Sequence, residues 1–418
     1  VKLVSYASFE PALDRLSSAP LSRRRALESG RGAPADDAAA RAALSEALAA
    51  LRAESAPPGI LVSPQNQLGS LIQSYLAENP EKLELVEQAA PNGALEVKFD
   101  KGDIVGWALS VLDWWRKIKP EKWLPPPEVP DTIGDGERLR VAVLGDWGTG
   151  MYGAPVASKT IAADTGYDVV LHLGDVYYAG TPKEVRENFI DFWPQVPGAV
   201  NRALNGNHEM YSGGDGLFRE TLPYFGQRST CCAMQTDDWL LVGLDTAYAE
   251  HDLAEGQADW LGRLLENAGD RRLVLFSHHQ PYSLLDKQGP KLAAKLDAFL
   301  RAGRIFAWYW GHEHRCVLYD AHPAWRLSGR CVGHAGFPEF RDAVQAFAAE
   351  DGDPRWRRVP ARDLVPSGLL LDMPNPWIED HGERYGIHGF VTLEFEGTSM
   401  TEIFHAADGQ ELRRSQLT

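Results

Sequence analysis

Along the C-terminal two-thirds of the chain, apolar residues gather in short runs that each stop at a cluster of polar ones. Residues 139–144, 169–173, 200–204, 273–276 and 305–310 are such runs, rich in Val, Leu, Ile and aromatic side chains. Helical spacing over 155–163, 183–192, 257–268 and 290–301 separates several of them. Strands that alternate with helices predict stacked α/β layers, and in such sheets sites gather beyond the carboxyl ends of the strands. Two more apolar runs, 390–395 and 400–404, joined around Glu396-Gly397-Thr398, predict a closing hairpin.

The first third reads differently. An Ala-rich helix is predicted over 36–54 and is broken by Pro57-Pro58-Gly59. A second helix is predicted over 64–76, a third over 82–89, and an aromatic amphipathic stretch spans 103–118 with Trp107, Trp114 and Trp115. These make residues 1–124 a small, mostly helical module, expected to be a packing or dimerisation appendage, with a specificity or targeting element as the alternative. The run Pro125-Pro126-Pro127-Glu128-Val129-Pro130 predicts a stiff extended linker over 125–136, with the catalytic domain over 137–418. Residues 337–386 are irregular and rich in Pro, Trp and charge; a loop of this length is often functional, and it is expected to fold as a lid over the mouth of the site.

What ends each strand carries the chemistry. The five runs lead into Gly-Asp146-Trp-Gly148, Gly-Asp175-Val-Tyr177-Tyr178, Gly-Asn207-His208-Glu209, Ser-His278-His279-Gln-Pro281 and Gly-His312-Glu-His314. Carboxylates, an amide, a phenol and imidazoles form a ligand set for two metal ions. Two cations roughly 3.5–4 Å apart neutralise a phosphate ester, help ionise water and stabilise the charge of transfer. One ligand should bridge them, and a carboxylate can do so with its two oxygens; Asp175 is the candidate. Singly, each residue has a plainer explanation. Asp146 and Asp175 suit turns or helix caps, Asn207 suits a turn, Tyr178 could pack beside Tyr177, and His208 could be structural. The order of the five runs makes the set specific.

Composition narrows the partners. The chain has 418 residues and a net charge of −16, which argues against a broad nucleic-acid footprint but leaves room for a small phosphorylated substrate. No apolar run reaches the roughly 18–20 residues of a membrane span. Four cysteines are too few for a disulfide scaffold; Cys316 and Cys331 flank a predicted hairpin and could meet across it. A reducing, cytoplasmic setting is expected, although a removed leader is compatible with a first residue other than Met. The first 171 residues contain neither histidine nor cysteine, so the chemistry is expected downstream. The sequence leaves the oligomeric state open.

Over residues 139–409 these motifs resemble the calcineurin-like metallophosphoesterase superfamily, in particular its purple-acid-phosphatase-like branch. That branch has Gly where the wider superfamily has His, here Gly148, and a tyrosine three residues after the second aspartate, here Tyr178. The resemblance implies a four-layer α/β/β/α sandwich and a phosphoesterase. The first metal would take Asp146, Asp175, Tyr178 and His314, and the second Asp175, Asn207, His279 and His312. His279 is preferred because the family ligand stands two residues before a proline, here Pro281. His208 would protonate the leaving group, with Glu209 orienting it, and His278 and His334 would stand behind the ligands or beside the substrate. The metals implied are iron paired with iron, zinc or manganese. The expected activity is phosphomonoester hydrolysis by metal-bound hydroxide. The alternatives are a phosphodiesterase acting on cyclic nucleotides or lipid headgroups, and a non-catalytic scaffold on the same fold.

Overall fold

The computed structural model describes residues 2–3, 34–53, 60–61, 63–78, 86–89, 95–98, 111, 115–134, 138–254, 256–286 and 291–417. Its core is two packed β-sheets of six and ten strands. The six-stranded sheet runs, edge to edge, Glu411–Leu417, Ser399–Ala406, Gly389–Glu396, Arg138–Leu144, Val169–His172, Val200–Ala203. Its last three strands are parallel. In the ten-stranded sheet Trp239–Gly243, Arg272–Ser277, Ile305–Trp310 and Ser328–Val332 are parallel neighbours.

Alternation along each strand explains the layers. Val141, Val143, Val169 and Leu171 face Val274, Phe276, Ala307 and Tyr309 in one core between the sheets. Their neighbours Ala142, Leu144 and Val170 point outward, onto Ala154, Ala157 and Ile161 of the helix Ala154–Ala163. Leu273, Leu275, Trp308 and Trp310 likewise pack against Trp260, Leu261 and Leu264 of the helix Gln257–Glu266. Because side chains alternate with period two, strands buried on both faces read as the unbroken apolar runs seen in the sequence. The result is a four-layer α/β/β/α sandwich. A buried ion pair ties the two sheets: Arg330 donates to both oxygens of Glu402, and the Tyr309 hydroxyl donates to the same carboxylate.

Three expectations change. Residues 82–89 do not form a helix where they are described: Val86–Ala89 is a strand, paired antiparallel with Leu95–Lys98, which in turn pairs with Lys2–Leu3. The N-terminal region therefore adds a small sheet to the helices Pro34–Ala53 and Gln67–Glu78; most of 103–118 lies outside the described residues. The stretch 337–386 is not irregular throughout. Ala348–Glu350, Asp353–Val359 and Gly368–Leu371 extend the ten-stranded sheet beside Cys316–Tyr319, and the fully buried Trp356 anchors them in the inter-sheet core. Cys316 stands opposite Val332, and Cys331 opposite Val317; both thiols are free. The proline run is docked, its Pro127 carbonyl accepting from Trp260 Nε1. Among the described residues no helix is long and apolar enough to cross a membrane.

Candidate metal centre

The carboxyl ends of three parallel strands of one sheet and two of the other meet at one edge of the sandwich. Asp146, Asp175 and Asn207 follow the first three; His278 and His312 follow the others. The chain turns sharply there. Asp146, Asp175, His312 and His314 all have positive φ, between 52° and 77°, a conformation costly for a residue with a side chain and concentrated at functional sites. Glycines make room: a Cβ on Gly206 would lie 2.2 Å from Asp175 Oδ1, and one on Gly333 2.5 Å from Asp146 Oδ2.

Asp146, Asp175 and His314 bring their ligand atoms within 4.8 Å of one another. The phenol among them is that of Tyr177, not the expected Tyr178. Tyr177 OH is 3.3 Å from Asp146 Oδ1, 3.2 Å from Asp175 Oδ2 and 3.0 Å from His314 Nε2. Tyr178 instead packs with Leu61, Met151 and Phe337. Its backbone is pinned, N–H to Glu184 Oε1 and carbonyl to His208 Nδ1. Glu339 stands 3.8 Å from His314 Nδ1, which keeps the proton on that nitrogen and turns the Nε2 lone pair inward.

Asp175, His278 and His312 form a second group within the same 4.8 Å limit, so Asp175 belongs to both. Here too the expected residue is displaced by its neighbour. His278 Nε2 lies 2.9 Å from Asn207 Oδ1, 3.4 Å from Asp175 Oδ1 and 3.2 Å from His312 Nδ1. Its Nδ1 is 3.1 Å from the Leu173 carbonyl, which can only accept, so Nδ1 carries the proton and Nε2 offers a lone pair. His279 stands beside His278, its Nδ1 on Thr246 Oγ1 and its buried Nε2 without a partner among the described residues. It lies outside the Asp175 group and forms a trio with His251 and His312.

Both groups fit cations. Asn207 Nδ2 donates to Gln65 and Tyr211, leaving its Oδ1 to face the imidazoles. Acceptor atoms converge with few donors between them. Burial, and then the adjacent Asp175, push the Asp146 carboxyl well above the usual range. Burial lowers His278 to about 4 and keeps His312 neutral as well, the form a ligand requires. Burial opposes ionisation of Asp175, yet His278, His208 and His312 outweigh it and hold this carboxyl far below the usual range.

Residues 139–316 match the family described as Calcineurin-like phosphoesterase. Over those residues the chain resembles a calcineurin-like phosphoesterase domain. The glycerophosphodiester phosphodiesterase GpdQ of Enterobacter lignolyticus is 28% identical over 167 residues, covering 36% of this chain and 57% of that protein. Among solved structures, the purple acid phosphatase PPD1 of yellow lupin (Lupinus luteus) is similar at 15% identity and a TM-score of 0.49, over 79% of this chain and 58% of that one. GAP50, the anchor in the inner membrane complex of Plasmodium, is similar at 13% identity and a TM-score of 0.46, over 68% and 89%. The chain thus spans under two-thirds of the curated relative and of the lupin protein.

Around the two donor groups the remaining expected residues fall into three positions. His208 is fully buried beside both groups; its Nδ1 meets the Tyr178 carbonyl at 2.6 Å, and its Nε2 has no partner and lies 3.9 Å from Asp175 Oδ2. Glu209 does not hold the His208 ring. Its Oε2 accepts from the backbone N–H of Asp175 and of Gly206, clamping the turns that present Asp175 and Asn207. His334 is away from the open pocket: it is 3% exposed and lines a small inner cavity with His314 and Glu339. The open pocket is a cavity of about 300 Å³ lined by Ser63, Gln65, Asp286, His312, Glu313, His314, Arg315, Phe337 and Glu339. Sequence reading missed Ser63 and Gln65, because nothing in the first third resembles a metal ligand. It also missed Tyr177, whose only signal was its adjacency to Tyr178.

Proposed function

We propose that this chain is a binuclear metal-dependent phosphoesterase, and that among phosphate esters it prefers diesters. The observation that carries the first part is a single carboxylate, Asp175, shared by two donor groups. One group would comprise Asp146, Asp175, Tyr177 and His314; the other Asp175, Asn207, His278 and His312. Two bound cations would draw charge from the phosphoryl oxygens and make water a better nucleophile. The protein's own part is positioning and proton delivery. The Tyr178 carbonyl holds a proton on His208 Nδ1, so a second proton on the unpartnered Nε2 makes an imidazolium facing the site. Burial disfavours that cation; an anionic ester beside it would favour it, and Nε2 would then give its proton to the leaving oxygen.

The pocket lining supports the diester preference. Asp286, Glu313 and Glu339 bring three carboxyl groups, whereas Arg315 is already tied to Glu339 at 2.7 Å. Burial raises Asp286 and Glu313, the latter to about 7, so the wall gains negative charge as pH rises and offers no free cation to a second charge on the ester, which favours a monoanionic diester over a dianionic monoester. The curated relative is named as a glycerophosphodiester phosphodiesterase, which agrees. The test compares a nitrophenyl phosphomonoester with its bis-nitrophenyl diester on one metal-reconstituted sample. A larger kcat/KM for the diester is expected. A ratio favouring the monoester would return the assignment to a phosphomonoesterase, and a sample that binds no metal would leave only the scaffold reading.

A further inference from the structure

We propose that the segment Ser63–Gln65, from the N-terminal third of the chain, is a working wall of this active site and that Gln65 positions both Asn207 and the ester. The inference rests on the phosphoesterase reading above.

The segment is held against the centre from both sides. Upstream, the Leu61 backbone N–H donates to Tyr152 OH, and the Leu61 side chain packs with Tyr177, Tyr178 and Phe337. Downstream, the helix Gln67–Glu78 buries Leu68, Leu71 and Ile72. Its Ser74 hydroxyl donates at 2.7 Å to Glu184 Oε1, the same oxygen that accepts from the Tyr178 N–H in the turn after Asp175. Gln67 Nε2 donates to the Tyr211 carbonyl, one turn beyond Asn207. The Ser74 and Gln67 bonds reach across more than 100 positions of sequence to the two loops that carry candidate ligands.

Between these anchors the chain reaches the chemistry. Ser63 is buried, with its Oγ 3.4 Å from His208 Nδ1. Gln65 is exposed to the pocket, and its Oε1 accepts from Asn207 Nδ2 at 2.9 Å and Tyr211 OH at 3.3 Å. An amide has two chemically distinct ends. Donating through Nδ2 obliges Asn207 to turn Oδ1 toward His278 and His312. The same two bonds fix which end of Gln65 is which. Its Nε2, to which no described residue is bonded, is left as a donor on the rim of the cavity. The same cavity is lined by Asp286, Glu313 and Glu339, which only repel a phosphate ester when ionised. A neutral donor on the near wall does what none of them can, binding an oxygen of the ester without adding charge.

Gln65→Leu and Gln65→Glu in the full chain separate the two roles. Leu removes acceptor and donor; Glu keeps an acceptor for Asn207 and loses the donor. Calorimetric titration with zinc should show the weaker of two equivalents bound about 10-fold less tightly in Gln65→Leu and restored in Gln65→Glu. With bis-nitrophenyl phosphate both variants should raise KM roughly 5–10-fold, the value of one lost hydrogen bond, with a smaller change in kcat. Gln65 is exposed, so the thermal midpoint should stay put; if Leu lowers it, Glu alone decides through KM. Wild-type KM in both variants, with both zinc equivalents unchanged in Gln65→Leu, would overturn the inference while leaving the phosphoesterase reading intact. A wild-type chain that takes up no zinc would overturn that reading, and the inference with it.

Discussion

The two donor groups share Asp175 but are built from different chemistry. The first adds a carboxylate, a phenol and one imidazole, from Asp146, Tyr177 and His314; the second adds a neutral amide and two imidazoles, from Asn207, His278 and His312. Oxygen donors with negative charge favour a hard, highly charged cation, and imidazoles suit zinc, iron and similar ions. Their support differs as well. The first group is backed by Glu339 and by the buried Tyr177, whereas the second depends on an amide steered from the far end of the chain by Gln65. The difference teaches that two donor groups joined at one carboxylate need not be equivalent: their ligand chemistry and their supports differ, so their affinities for a cation are expected to differ too.

The largest effect should come from what the two groups share. Asp175→Ala should abolish both metal equivalents and bring hydrolysis to background, as read by elemental analysis and turnover. His278→Ala should remove one equivalent and keep the other, whereas His279→Ala should keep both. Loss of metal from His279→Ala alone would reverse the assignment of the second group. His208→Ala should keep both metals and lower turnover by roughly 10²–10⁴, the usual contribution of a positioned proton donor; loss of metal would make it a ligand instead. Tyr177→Phe should erase any tyrosinate–iron absorption and weaken only the first group's site, while Tyr178→Phe leaves the spectrum intact. The smallest effect belongs to Glu209→Gln. It keeps the size of the clamp but weakens its acceptor to the Asp175 and Gly206 N–H groups, costing about 1–2 kcal/mol in a denaturant titration.

The strands and the edge where the site forms were legible because buried parallel strands write themselves as continuous apolar runs, and each ended in the residues that now converge. At two places the geometry favours the neighbour of the expected residue, Tyr177 beside Tyr178 and His278 beside His279. Both pairs lie beyond the last residue of a strand, where period-two alternation no longer tells which of two adjacent side chains faces the site. The sheet extension at Asp353–Val359 was hidden by its charge. Arg355, Arg357 and Arg358 fell within a stretch read as irregular and charge-rich, but they face Asp353, Asp372, Glu350 and Asp320 in ion pairs while Trp356 and Val359 fill the core. In the first third, Val86–Ala89 follows Leu83 and Leu85, a spacing compatible with either a helix or a strand. The role of Gln65 was out of reach because an amide becomes part of a site only through what it touches.

Two unequal sites joined at one carboxylate are the centre of this reading of the molecule. The direct measurement is a zinc titration of the metal-free full chain by calorimetry, beside the same titration of Asp175→Ala. Two equivalents of different affinity in the parent and none in the variant are predicted. A single equivalent in the parent, or two that survive the loss of Asp175, would contradict it.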